Sequence, residues 1–141
     1  MIVKFYDQVE DEKLKFAVIA ARAEGKWVFC KHKARTTFEM PGGHREPGEP
    51  ILDTARRELQ EETGATAFDL QPVCVYSVTD PDNFDGAETY GLLCTARVHA
   101  FGPIDSEMEK IVLTADLPTQ WTYPQIQPKL LAELERRGVI Q

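Results

Sequence analysis

Between Gly42 and Ala65 the chain reads GGHREPGEPILDTARRELQEETGA. Four of its five glutamates, Glu49, Glu58, Glu61 and Glu62, lie in or just before one short helix, with Arg57 among them and glycines at both ends of the stretch. Pro50 suits a first helical turn, where its missing N–H costs nothing, and Gly64 suits a C-terminal cap, so the spacing predicts a helix over 50–63. On such a helix Glu58, Glu61 and Glu62 stand at i, i+3 and i+4 and project from one face. Leu52, Ala55 and Leu59 form an apolar stripe beside them. Like charges this close repel, and a fold tolerates them mainly where a cation neutralises them. Three carboxylates on one face make an all-oxygen site suited to Mg²⁺ or Mn²⁺.

The rest of the chain supplies a frame for that helix. Its 141 residues fit a single domain spanning 1–141 with one core. Phe16 to Ala23 and Lys26 to Lys33 read as a hairpin around Glu24-Gly25. A short strand over Thr36–Met40 leads into a tight turn at Pro41-Gly42-Gly43. Phe68–Thr79 and Glu88–Phe101 read as two long strands, and Ile111–Leu113 as a last short one. A terminal helix begins at Pro128 or Pro124, carries Leu130, Leu131 and Leu134 on its apolar side, and runs to Arg137, with Gly138 stopping it. Hairpins dominate while helices are interspersed, which predicts an α/β fold with a mixed sheet between helices.

Bulk properties exclude several classes. A net charge of −7 argues against a general binder of nucleic acid polymers. An acidic pocket still accepts a polyphosphate when divalent cations lie between the two anions. No apolar run is long enough to span a bilayer, and the acidic N-terminal segment does not read as a signal peptide. Cys30, Cys74 and Cys94 read as buried free thiols of a reducing compartment, which points to the cytoplasm and away from membranes.

The acidic stretch resembles the signature of the Nudix hydrolases, G-x5-E-x7-R-E-U-x-E-E-x-G-U, where U is a bulky aliphatic residue. Gly43, Glu49, Arg57, Glu58, Leu59, Glu61, Glu62 and Gly64 fall at the required spacings. Ala65 departs from the pattern at the last aliphatic position, which weakens a packing contact and removes no ligand. The resemblance implies a Nudix fold, an α/β/α sandwich, whose loop–helix–loop binds divalent metal against the diphosphate of a nucleotide derivative. It implies Glu58, Glu61 and Glu62 as metal ligands, joined by a carbonyl of Gly42 or Gly43. Arg57 would hold the glutamates in orientation and Glu49 would brace the loop. The proton acceptor for water is one of these glutamates or one from another loop. Glu107, in a loop before the last strand, is the candidate from outside, with Glu109 as its rival.

Substrate contacts are sought beyond the signature. Arg22, Lys33 and Arg35 are candidate partners of phosphates, with Lys31 and Arg45 as alternatives. Glu39, just before the signature, is a candidate contact to a base or a metal. The short chain and the run FEMPGG…REPGE resemble MutT-type nucleoside triphosphate pyrophosphohydrolases, which release a monophosphate and pyrophosphate, sometimes from oxidised guanine nucleotides. The same-class alternative is an ADP-ribose or nucleotide-sugar pyrophosphatase. The alternative of another class is a nucleotide-binding sensor without turnover. The family resemblance further implies a homodimer as one arrangement, with Met1 to Val9 as the pairing segment.

Overall fold

A computed structural model of the protein describes residues 1–82, 84–104 and 108–140. The described chain runs β1 (Ile2–Tyr6), β2 (Leu14–Ala23), β3 (Lys26–His32), β4 (Gly42–His44), α1 (Ile51–Thr63), β5 (Ala65–Thr79), β6 (Thr89–Phe101), β7 (Met108–Thr114) and α2 (Gln127–Arg136). Seven strands form one sheet in the order β1-β5-β6-β2-β3-β7, with β4 paired to β2. Strands β2 and β6 run parallel, and the other pairings are antiparallel. The mixed sheet expected from the sequence is therefore present, with one helix on each face.

The composition of β2 explains its place. Its run FAVIAARA lacks alternation because both faces of the central strand are covered. Ala17, Ile19, Ala21 and Ala23 join Leu92, Cys94, Ala96 and Val98 of β6 under Ala55 and Leu59 of α1. The intervening Ala20 joins Leu93, Cys74 and Tyr76 under Leu130, Leu131 and Leu134 of α2. Two clusters on opposite sheet faces thus make up the core. All three cysteines are buried free thiols.

The outer edge of β2 is divided between two partners. Its C-terminal end pairs with β3 through Ala21–Val28, Arg22–Trp27 and Ala23–Lys26. Its earlier part pairs with β4 through Phe16–His44, Ala17–Gly43 and Val18–Gly42. The sequence placed a strand at 36–40 and a turn at Pro41-Gly42-Gly43, and this is corrected. The glycines lie in β4, and within 36–40 only isolated bridges form, Cys30 with Glu39 and Phe38 with Trp121. The reason is that β3 has diverged from β2, leaving backbone donors and acceptors of residues 16–18 for another strand. Strand β1 was not anticipated either, and it places the proposed pairing segment on a sheet edge beside β5.

Two polar clusters tie the N-terminal segment down. Glu133 accepts from Arg136 and Arg137, and Arg137 also reaches Asp7 just past β1. At the other site Glu88 accepts hydrogen bonds from Tyr6 and Ser77 at 2.6 Å and from Tyr90 at 2.8 Å, joining β1, β5 and β6. These hydroxyls, Ser77 foremost, hold the Glu88 carboxyl at about 2. An unfolded glutamate titrates near about 4.3. The cluster therefore stabilises the fold above that value, and its contribution is lost as pH falls toward 2. In thermal melts across pH, wild type is expected to exceed Glu88→Gln at neutral pH, with the gap closing as pH drops from about 4.3 toward about 2.

Candidate active site

Helix α1 begins at Ile51, after Pro50, and ends where Gly64 adopts a left-handed conformation (φ 76°), its N–H bonded to the Gln60 carbonyl. Leu59 and Ala55 bury one side of it against the sheet. The acidic side lies over β4. Backbone approach there is close enough to require glycine. A Cβ on Gly43 would stand 2.4 Å from the Glu58 carboxyl carbon, and one on Gly42 would stand 2.4 Å from the Ala17 carbonyl oxygen. Gly43 thus lets the Glu58 carboxylate reach the strand, and Gly42 lets β4 close on β2.

Arg57 organises the pocket. Its Nε and Nη2 donate to the two oxygens of Glu49 at 2.8 and 3.0 Å, a bidentate pair. Nη2 also donates to the His44 carbonyl at 2.9 Å, linking helix to strand. Nη1 donates to Glu58 at 2.8 Å and to Glu61 at 3.4 Å. Glu49 is further held by the Thr54 hydroxyl at 2.6 Å and the Glu46 amide at 3.1 Å. The Arg57 and Thr54 hydrogen bonds hold its carboxyl down at about 2. This arrangement agrees with a bracing role for Glu49. Arg45 is also committed to the loop, through Asp11, the Leu14 carbonyl and the Glu49 carbonyl.

The remaining glutamates carry less compensation. Glu62 accepts from the Gly42 amide at 2.7 Å. Burial pushes its carboxyl up to about 8, and the charges of Glu58, Glu39 and Glu61 add to the rise. Burial also raises Glu58 despite its contact with Arg57. Glu61 is about half exposed. The single cluster of three carboxylates expected from i, i+3, i+4 spacing is not the arrangement found. Among the described residues no three acidic, histidine or cysteine side chains converge to hold an ion. Instead Glu58 and Glu61 turn to Arg57 and Glu62 turns to the Gly42 amide, since each carboxylate takes the nearest donor. The donor set still fits a hard divalent cation. It offers carboxylate and carbonyl oxygens, a cradle at Gly43 that a Cβ would fill, and in Glu62 a half-buried acid whose raised carboxyl would gain from positive charge.

The other predicted residues divide. Glu39 is buried and bonded to Arg35 at 3.2 Å, and burial raises its carboxyl. Its backbone pairs with Cys30, whose thiol lies 3.6 Å from the Glu62 carbonyl. Arg35 and Glu39 therefore border the acidic pocket. Lys33 is exposed in the turn closed by the Arg35 amide on the His32 carbonyl. Arg22 is not brought to the glutamates. It alternates with Ala21 and Ala23 and so lies on the α2 face, its guanidinium 4.4 Å from the Trp27 ring centroid and bonded to the Gly25 carbonyl. Glu107 lies outside the described residues. Glu88, which faces Tyr6, Ser77 and Tyr90, is a cross-strand tie. Sequence reasoning missed Tyr123, Thr122 and Gln127. Tyr123 accepts from Arg35, Thr122 bonds to Thr37, and Gln127 accepts from the Met40 amide at 2.7 Å just ahead of β4. Their partners are more than eighty residues away in sequence, so no local spacing signals them.

Removing the guanidinium in Arg57→Ala is expected to move the Glu49 titration upward from about 2 toward the ordinary carboxylate range. Side-chain NMR titration of the two proteins checks this, and an unmoved Glu49 would contradict the assigned brace.

Comparison with known proteins agrees with this geometry. A profile of the NUDIX domain matches residues 11–134. The chain is 37% identical over 76 residues to a Bacillus subtilis protein named 8-oxo-dGTP diphosphatase YtkD, covering 54% of this chain and 48% of that protein. It is 44% identical over 64 residues to an ADP-ribose pyrophosphatase of the same organism, covering 43% of this chain and 35% of that protein. The matched stretches therefore span half or less of those relatives. Among solved structures, a point mutant of the Bacillus subtilis pyrophosphohydrolase BsRppH superposes with a TM-score of 0.79 at 25% identity, over 99% of this chain and 93% of that one. With the signature residues gathered on one helix and strand and the profile match covering most of its length, the chain belongs to the NUDIX family.

Proposed function

We propose that the protein is a Mg²⁺-dependent hydrolase of a nucleoside diphosphate derivative, with a nucleoside triphosphate, including oxidised guanine forms, as substrate. The products are then a monophosphate and pyrophosphate. The observation that carries this reading is the Glu58 carboxylate lying against Gly43 beside the half-buried Glu62, a pocket of oxygen donors only partly neutralised by Arg57. Glu58, Glu61 and Glu62, with a carbonyl of Gly42 or Gly43, would hold Mg²⁺ or Mn²⁺. A bound divalent ion supplies charge neutralisation on the diphosphate and a more acidic water. Arg57 keeps the glutamates oriented through Glu49 and His44. Glu107 is proposed as base or additional ligand, and Lys33, Arg35 and Glu39 as contacts to substrate. Arg22 is left out, because its side chain lies over Trp27 on the other face.

The relative named 8-oxo-dGTP diphosphatase supports the triphosphate reading. The second reading, an ADP-ribose or nucleotide-sugar pyrophosphatase, is supported by the higher identity to the ADP-ribose pyrophosphatase over a shorter stretch. Intact signature glutamates favour turnover over a binding-only sensor. No helix among the described residues is long and apolar enough to cross a membrane. A cytoplasmic location, a small-molecule nucleotide as the only partner class, and a homodimer formed through the β1 edge complete the proposal.

A panel of nucleotides with Mg²⁺, resolved by product analysis, tests the reading. Triphosphates are expected to yield pyrophosphate and a monophosphate. Two monophosphates from ADP-ribose would favour the second reading, and no product from any nucleotide would favour the sensor. Glu61→Gln is expected to lose most activity and a chelator to abolish it. Full turnover in either case would refute the metal assignment. Gly43→Ala is expected to lower kcat by about 100-fold by displacing Glu58, with its melting temperature close to wild type.

A further inference from the structure

Tyr123 precedes α2 in a loop, and 40% of its surface is exposed. A tyrosine ordinarily buries its ring and wets its hydroxyl. Here the hydroxyl accepts a hydrogen bond from Arg35 Nη1 at 3.4 Å, yet the residue as a whole stays well exposed. The Arg35 guanidinium carbon lies 5.8 Å from the ring centroid. The same Nη1 donates to Glu39 at 3.2 Å. Glu39 pairs with Cys30, and the Cys30 thiol lies beside the Glu62 carbonyl. One guanidinium therefore connects an exposed tyrosine to the border of the acidic pocket.

Trp27, Trp121, Phe38 and Tyr90 are engaged elsewhere. Trp27 is buried under Arg22, Trp121 packs edge-on against Phe29, and Phe38 packs into the cluster beneath α2. Tyr90 donates to Glu88 and lies 5.8 Å from Tyr6. Aromatic rings bind bases by stacking because every base presents a π-face. A cation held against one side of the ring leaves the other side for such a partner.

We propose that Tyr123 is the platform on which the nucleobase of the substrate stacks, with Arg35 bracing the ring against Glu39. The inference rests on the nucleotide reading above and adds the residue that grips the base. Exposure makes Tyr123 tolerant of substitution, so its variants are expected to fold, which melting temperatures check.

The test compares wild type, Tyr123→Ala and Tyr123→Phe on GTP and on methyl triphosphate, which carries the same phosphates and no base. Calorimetric binding of GMP without metal gives a second readout. Tyr123→Ala is expected to raise KM for GTP and weaken GMP binding by roughly tenfold or more, with kcat near wild type, in line with the loss of one base–aromatic stack. Tyr123→Phe keeps the ring and is expected to retain both, and methyl triphosphate turnover is expected to be unchanged in both variants. Three results would overturn the proposal: an Ala variant that behaves as wild type, a Phe variant as impaired as Ala, or an equal loss on methyl triphosphate. Wild type that cleaves both compounds with equal kcat/KM would instead remove the nucleotide reading and this inference with it; where it cleaves neither, GMP binding decides, and equal affinity in wild type and Tyr123→Ala overturns the inference.

Discussion

The Arg57 guanidinium is the interaction on which the acidic pocket depends. The carboxylates of Glu49, Glu58, Glu61 and Glu62, left to themselves, would drive the loop and helix apart. Arg57 directs its donors to Glu49, Glu58, Glu61 and the His44 carbonyl, so one planar cation fixes the loop, the helix and β4 together. A lysine, with a single point charge and no fork, could not make the same bidentate pair with Glu49. Compensation is nonetheless incomplete. Glu62 lies beyond the reach of Arg57 and relies on the Gly42 amide, and its raised carboxyl records the deficit.

That arrangement needs a backbone that comes within touching distance of the helix. The divided edge of β2 provides it. Because β3 pairs only at the hairpin end, residues 16–18 are free to bind β4, and β4 places Gly43 against the Glu58 carboxylate and the Gly42 amide on Glu62. The bridge between Cys30 and Glu39 marks where the chain crosses from one partner to the other. The site thus sits where the sheet changes partners, with Glu39, Arg35 and Tyr123 along one side of it. Leu59 and Ala55 anchor the same helix in the core.

Much of this was legible in the residues. The helix over 51–63 was readable from Pro50, Gly64 and its apolar stripe, whereas the pairing of Glu49 with Arg57 emerged from the structure. The strands β2, β3, β5 and β6 emerged within a few residues of their ends. Less legible were strands with weak local pattern. Strand β1 carries exposed Ile2 and Lys4 on an edge, and β4 holds two glycines that read as a turn. Their pairing is decided by unsatisfied backbone groups on distant strands, which no local window contains. The same limit explains Arg22, whose face is set by the register of β2.

The sequence alone determined the kind of chemistry, because the signature packs carboxylates, an arginine and glycines into one contiguous loop and helix where spacing equals geometry. Tertiary structure decided how those groups are shared out. It sent Glu62 to the Gly42 amide, Glu58 and Glu61 to Arg57, and Arg22 to the opposite face. It also brought Arg35, Glu39 and Tyr123 together across more than eighty residues. The physical reason is reach. Interactions within a helical turn or two are fixed by dihedral angles, whereas those between strands depend on which edges remain unpaired when the whole sheet has assembled.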